Sequence, residues 1–342
     1  MYYDGTKLLS LKDINGNTPE IYICSSNRSA GKTTWFNRWF VKRFLEHDEK
    51  FMILYRFDYE LSDIANKFFK EIKQLFYPEY NMTSKAMSKG AYHNLFINEK
   101  HCGYAVSINK ADTVKKLSHL FADTCRMLFD EFQSESNHYC NNEIVKFQSI
   151  HTSVARGGGE QVRYVPVYML ANNVSLLNPY YVALNVSSRL NNAKFVRGDG
   201  FVIEQGFNEV VSHKQKDTAF NRAFSESSYV KYSTENVYLN DNLSFIEKPA
   251  GKSLYLVTLK YDGVQYGIRE YADAGIIYCD KNYDASFKYK ITVDTADHDI
   301  NYIMLKRNDL LLSSLRWYFE KGAFRFKDLQ CKEAVLKALA FY

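Results

Sequence analysis

The stretch Cys24-Ser25-Ser26-Asn27-Arg28-Ser29-Ala30-Gly31-Lys32-Thr33-Thr34 has the residue types and order that suit triphosphate chemistry. A small polar loop closing on Gly-Lys-Thr turns successive backbone N–H groups inward as an anion nest, and the helix behind it adds its positive dipole end. The Lys32 ammonium then reaches the β- and γ-phosphates, and the Thr33 hydroxyl ligates Mg²⁺. The full phosphate-loop pattern places Gly five residues before Gly31, where this chain has Ser26. Ser26, Ser29 and Ala30 keep the loop small, so the motif reads as degenerate but intact. A chance Gly-Lys-Thr at a strand–turn–helix junction is the plain alternative.

Further groups fit the same chemistry. The apolar run Arg126-Met127-Leu128-Phe129 ends in Asp130-Glu131. In a phosphate-loop fold such an Asp holds Mg²⁺, and the next Glu orients and polarises the attacking water. Alone, two acids at a strand tip are as readily solvated. Following Gly31-Lys32-Thr33 in this order, they read as the second half of a hydrolytic site. A strand over 162–170 runs into Ala171-Asn172-Asn173, where Asn172 can sense a γ-phosphate or simply cap a turn. Arg156 stands at the base of Gly157-Gly158-Gly159. Its guanidinium offers bidentate phosphoryl contact, while a plain surface arginine is the alternative. Arg56 ends the apolar run 51–55, at the strand end where open α/β sheets bind ligands.

The elements positioning these groups follow from periodicity. Strand 20–24 leads through the loop to a helix from Lys32 to about Glu46, with Phe36, Phe40 and Phe44 on one face. Residues 1–20 form a polar lead-in. Residues 58–76 read as a helix, 92–108 as a hairpin about Asn98-Glu99-Lys100, 109–120 as a polar helix and 143–154 as a helix. Residues 207–243 are polar and rich in Ser and Asn, as in a linker with helical pieces. From 244 the pattern turns to β. Strands 253–261 and 264–270 flank Asp262-Gly263, a hairpin signal, and 275–280 makes a third. Helices follow near 309–320 and 327–339.

Composition narrows the classes. The 342 residues include 27 Tyr and 24 Phe, which suit cores, subunit contacts or base stacking alike. Net charge is +5, and the excess lies early: residues 1–200 carry 25 Lys+Arg against 20 Asp+Glu, residues 201–342 carry 19 of each. That permits a polyanionic partner without requiring one. Six cysteines show no metal-ligand spacing and read as free thiols in a reducing cytosol. No apolar run approaches a membrane span, and the first residues lack a signal peptide's pattern.

The phosphate loop, Asp130-Glu131, Ala171-Asn172-Asn173 and Asn178-Pro179-Tyr180 together resemble the DNA-encapsidation ATPases of small short-tailed phages of the picovirus type, compact relatives of the large terminases. The similarity extends to the 92–108 hairpin, Phe245-Ile246-Glu247-Lys248 and the Tyr261-Asp262-Gly263 turn. It implies an α/β chain in three parts. A RecA-like ATPase domain of the additional-strand, conserved-glutamate (ASCE) type spans 1–206, a linker domain 207–243, and an RNase H-like domain 244–342. The implied activity is ATP-driven translocation of double-stranded DNA into a procapsid in the host cytoplasm. The implied partners are a ring of like subunits, taken as a pentamer, and the procapsid portal, with a structural packaging RNA left open and no membrane. By resemblance, Ser26 to Thr34 cradle ATP, with Arg28 inside the loop. Thr33 and Asp130 hold Mg²⁺, Glu131 is catalytic, Asn172 is the sensor, and Arg156 reaches in trans into a neighbour's site. Arg56 matches one of an arginine pair near the nucleotide base, with Tyr55 replacing the other.

The C-terminal domain reads as a degenerate nuclease. Two-metal cleavage needs convergent carboxylates. The candidates are Asp262, Glu270, Asp280, Asp294, Asp297 and Asp299, yet the first strand carries no acid. Lys85, Lys89, Lys115 and Lys116 are candidate phosphate contacts for DNA, each also readable as an ordinary solvated lysine. Other readings are a different ring-forming DNA-stimulated ATPase, such as a helicase or transfer motor, and a nucleotide-binding assembly protein without turnover. Glu131 argues against the last.

Overall fold

The computed structural model describes residues 3–340 apart from 65–66, 137, 157–160, 177, 187–188, 191–192, 226, 235–243 and 305–309. In chain order the first elements are α1 (Thr6–Ser10), β1 (Ile21–Ser26), α2 (Lys32–His47), β2 (Lys50–Tyr55), α3 (Asp58–Ile64) and α4 (Lys67–Phe76). Then come β3 (Met82–Met87), β4 (Tyr92–Ile97), β5 (Lys100–Ser107), α5 (Ala111–Lys116), β6 (Thr124–Asp130), α6 (Glu143–Ala155) and β7 (Val167–Asn172). They are followed by α7 (Pro179–Ala183), β8 (Phe195–Gly198), β9 (Phe201–Gln205), α8 (Glu209–Lys216), α9 (Ala219–Ala223) and α10 (Ser228–Thr234). The last group is β10 (Leu254–Tyr261), β11 (Val264–Tyr271), β12 (Ile276–Asp280), β13 (Lys290–Thr292), β14 (Ile303–Met304), α11 (Leu310–Glu320), β15 (Phe324–Phe326) and α12 (Leu329–Ala340).

These elements form two units that are not contiguous in sequence. One holds the chain up to Phe132 with Val145–Asn173 and Asn192–Val237; the other holds Gln133–Ile144, Val174–Asn191 and the chain from Tyr238. In the first, the sheet order is β3-β4-β5-β2-β6-β7-β1-β9-β8. The strands from β5 to β9 run parallel, and antiparallel β3, β4 and β8 extend the two edges. Strand β7 lies between β1 and β6, which is the additional-strand arrangement. The central strands are covered on both faces, so they read as continuous apolar runs; Phe51, Met52, Ile53 and Leu54 are all buried.

Helix α2 buries Phe36, Phe40 and Phe44 against that sheet, as their i+4 spacing requires. Trp39 closes over Tyr168 with ring centroids 5.1 Å apart. The lead-in is more than polar chain: α1 buries Leu8, and the Tyr3 N–H donates to the Ala30 carbonyl of the phosphate loop at 2.8 Å. Gly5 makes this approach possible, because a Cβ there would lie 2.5 Å from Cζ3 of Trp35. Gly5→Ala is expected to destabilise the chain by about 1–3 kcal/mol, the usual effect of overpacking. A lower urea midpoint at unchanged slope is the measurement; an unchanged midpoint would contradict it.

Some elements differ from their expected form. The strand predicted over 162–170 begins only at Val167, because Pro166 has no N–H for a ladder; its carbonyl instead accepts from Met127 N. The 58–76 segment forms two helices, α3 and α4, with 65–66 outside the described residues. Strand β3 was hidden by its polar composition, Met-Thr-Ser-Lys-Ala-Met, which suits an exposed sheet edge.

The second unit has the sheet order β14-β13-β10-β11-β12-β15. Strands β10, β11 and β12 are antiparallel neighbours, and β13 and β14 continue parallel on the far side of β10. This is the strand order of an RNase H-like sheet. The β10–β11 turn has positive φ at both Asp262 (51°) and Gly263 (72°), as a two-residue hairpin of this twist requires. Helices α11 and α12 supply Leu312, Leu315, Cys331, Ala334 and Val335 to its core. All six cysteines are free, and no described helix is long and apolar enough to cross a membrane.

Candidate active site

Three parallel strands deliver their C-terminal ends to one place. Strand β1 leads into the loop before α2, β6 ends at Asp130, and β7 ends at Asn172. The register pairs Ser26 with Asn172 and Asp130 with Leu170, so the loop, Asn172 and the acids are adjacent by construction.

The loop turns at Ser29 (φ 59°) and Gly31 (φ 92°). Gly31 is therefore the position where the left-handed backbone demands glycine. Ser26 needs no such freedom: it is the last residue of β1, its hydroxyl donates to the Asn27 carbonyl at 3.1 Å, and its Cβ faces Gly206. The missing glycine of the motif is thus explained by a strand that runs one residue further before turning.

Lys32 is 5 % exposed, and its Nζ donates to Asn172 Oδ1 at 2.8 Å. Burial lowers its pKa, while Cys24, Asp130 and Glu131 act to raise it. Asp130 carries the reverse pattern. Burial raises its pKa, and Lys32, the Thr33 hydroxyl and the Glu131 N–H hold it down. That last bond measures 2.9 Å. Lys32, Thr33, Asp130 and Asn172 are therefore brought together with a positive and a negative group poised against each other. Thr33, Asp130 and Glu131 line one cavity of about 370 Å³ with Asn37, Tyr55 and Arg56.

Glu131 has φ of 56°, a strained conformation for a residue with a side chain that costs about 1–3 kcal/mol. Arg56 holds it there. This arginine is 6 % exposed and donates to the carbonyls of Glu131 (3.2 Å) and Phe132 (2.7 Å). The resemblance places its counterpart near a nucleotide base; in this chain the guanidinium also braces the acidic turn.

Two loop residues are committed elsewhere. Asn27, 1 % exposed, exchanges bonds with Asn208, accepting from its N–H at 2.9 Å and donating to its carbonyl at 3.3 Å. Arg28 donates to the Tyr229 hydroxyl and lies over its ring. The side chains of Asn27 and Arg28 thereby tie the loop to the helices at 208–234. Ala30 gives its carbonyl to Tyr3, and Thr34 is half-buried on the first turn of α2.

Arg156 is exposed and stands one residue past α6. It lines a separate open cleft with Glu20, His151, Thr152, Gln161 and Val162. The chain does not bring it to the cavity lined by Thr33, Asp130 and Glu131. Gly157–Gly159, read as its flexible turn, lie outside the described residues. The Arg56 brace and the Asn208 and Tyr229 ties were not legible in the sequence, since each joins residues far apart in the chain and has no spacing signature.

In the second unit the candidate nuclease acids Glu270, Asp280, Asp294, Asp297 and Asp299 each have other partners, and Asp297 and Asp299 both face Lys260. Asp280 pairs with Arg269, Glu270 accepts from the Tyr318 hydroxyl at 3.1 Å, and Asp294 caps the turn at Ala296. Asp297 accepts from Gly263 N at 2.9 Å, and Asp299 accepts from Asn301 N at 2.7 Å. Among the described residues no group of three or more His, Cys, Asp or Glu is arranged to hold a metal ion.

Comparison with known proteins bears on the whole chain. The family model described as "Podovirus DNA encapsidation protein (Gp16)" matches residues 1–340. The DNA packaging protein of Bacillus phage phi29 is 26% identical over 332 residues, covering 96% of this chain and 94% of that protein. Among solved structures, a chain of the bacteriophage Phi-29 viral genome packaging motor assembly aligns with TM-score 0.54 and 23% identity, over 99% of this chain and 97% of that one. A chain of the Phi-28 gp11 DNA packaging motor aligns with TM-score 0.56 and 17% identity, over 99% and 98%. The match of nearly the whole chain to that family model, with the loop, acids and sensor in one sheet, means that this chain belongs to the podovirus DNA encapsidation (Gp16) family.

Proposed function

We propose that the chain is the ATP-hydrolysing motor that drives double-stranded viral DNA into a preformed procapsid. The observation that carries this reading is the convergence of Lys32, Thr33, Asp130 and Asn172 at the ends of β1, β6 and β7, in a chain of this family. The loop backbone from Ser26 to Thr34 cradles the phosphates, and Lys32 moves its charge from Asn172 towards the β- and γ-oxygens. Glu131 orients a water and takes its proton. Thr33 and Asp130 already share a hydrogen bond, the donor set that suits Mg²⁺. When bound, the metal neutralises charge on the β- and γ-phosphates.

Arg156 serves a neighbouring subunit, so the working form is a homo-oligomeric ring, a pentamer at the procapsid portal, in the host cytoplasm. Exposed Lys85, Lys89, Lys115 and Lys116 contact DNA phosphates, giving salt-sensitive binding without sequence preference. Residues 1–206 act as the ATPase domain, 207–243 as the linker and 244–342 as an RNase H-like domain that binds rather than cuts. The test is the ATPase rate with double-stranded DNA and procapsid added singly and together. The joint rate is expected to exceed either single one. Hydrolysis at background level, or indifferent to both additions, would overturn the proposal.

A further inference from the structure

The chain leaves the first unit immediately after both catalytic strands. Gln133 is two residues past Glu131 and Ser175 is three past Asn172, and both belong to the second unit. There the two exits are joined again: Ser175 N donates to Gln133 Oε1 at 3.0 Å. Ser175 Oγ in turn accepts from Nζ of Lys332 on α12 at 2.8 Å. Asn178 steadies the same segment, donating to the Ser175 carbonyl at 3.2 Å and capping α7. Gln133, Ser175 and Lys332 are each 3 % exposed, and the Lys332 ammonium lies 5.8 Å from the Phe245 ring centroid.

A lysine ammonium taken out of water at this depth is costly unless it is hydrogen-bonded, and Ser175 Oγ accepts one of its bonds. That bond bears on the pair of segments that follow Glu131 and Asn172. We propose that Lys332, far along the chain in the RNase H-like unit, is a positioning residue for ATP hydrolysis. It locks the Gln133–Ser175 bridge and so holds the segments that follow the acidic turn and the sensor strand, adding to the β6–β7 ladder that pairs Asp130 with Leu170. A shift of about an ångström at such a constellation can lower turnover on the order of 10²-fold without touching substrate.

This inference rests on the reading of the chain as an ATPase, and its test separates the two. Wild-type protein without ATP hydrolysis would overturn that reading first. With wild-type turnover in hand, Lys332→Met, which keeps the volume and removes the charge, is expected to fold, to keep the KM for ATP, and to lose kcat by about 10- to 10²-fold. Lys332→Arg should recover part of the loss. A merely structural lysine would lower the thermal midpoint and leave kcat of the folded fraction intact. Wild-type kcat in folded Lys332→Met overturns the proposal. Should that variant not fold, Ser175→Ala removes only the accepting hydroxyl, and wild-type kcat there overturns it equally.

Discussion

Glu131→Gln is expected to bind ATP as the wild type does and to lose turnover by about 10²- to 10⁴-fold, the scale of a general base. Two bonds that hold residue 131 come from its backbone: its N–H donates to Asp130 Oδ1, and its carbonyl accepts from Arg56. Glutamine leaves both bonds in place, so the strained φ and the Asp130 orientation survive. Only the carboxylate's ability to polarise water and accept its proton is removed. Nucleotide affinity by fluorescence and single-turnover hydrolysis separate the two effects. Hydrolysis at the wild-type rate would take Glu131 out of the mechanism.

The second large effect concerns Arg156. Arg156→Ala should fold normally, because the side chain is exposed, and lose hydrolysis by about 10³- to 10⁵-fold, the scale of a trans arginine. Lys32→Ala should be inactive through its own loop, having lost the phosphate contact and the bond to Asn172. Mixed together, the two dead proteins form interfaces in which an intact loop on one subunit meets an intact Arg156 on the next. Partial activity should return, peaking at intermediate mixing ratios. No return at any ratio would place Arg156 outside the neighbour's site.

Which parts of this were legible in the sequence follows from the range of the interactions. Helix α2 was readable because Phe36, Phe40 and Phe44 repeat at a helical period, and the Asp262-Gly263 hairpin because its turn demands those residue types. The loop and the acids were readable because their chemistry fixes residue identity at short spacing. The strand order came only through the resemblance to additional-strand ATPases, since no local pattern says that β7 separates β1 from β6. The bonds from Arg56 to the carbonyls of Glu131 and Phe132 were not legible, since they join residues 75 or more apart in the chain. Ser26 shows the converse. A motif compared letter by letter flagged it, yet the backbone places its left-handed turns at Ser29 and Gly31 and asks nothing unusual of a serine.

The interleaving of the two units has a consequence for the order in which the chain can fold during synthesis. Segments 133–144 and 174–191 leave the ribosome with the early strands, but Val182 finds its place only in the core built by β10 to β15. Until the last helix is made, those segments, with Tyr180 and Tyr181 among them, lack the surface they are buried in when folding is complete. A half-made chain therefore has its phosphate loop before it has fixed exits for β6 and β7. Under the proposed function, capture of nucleotide would then precede competence to hydrolyse it, and an unfinished or C-terminally clipped subunit would be an idle member of any assembly it joined.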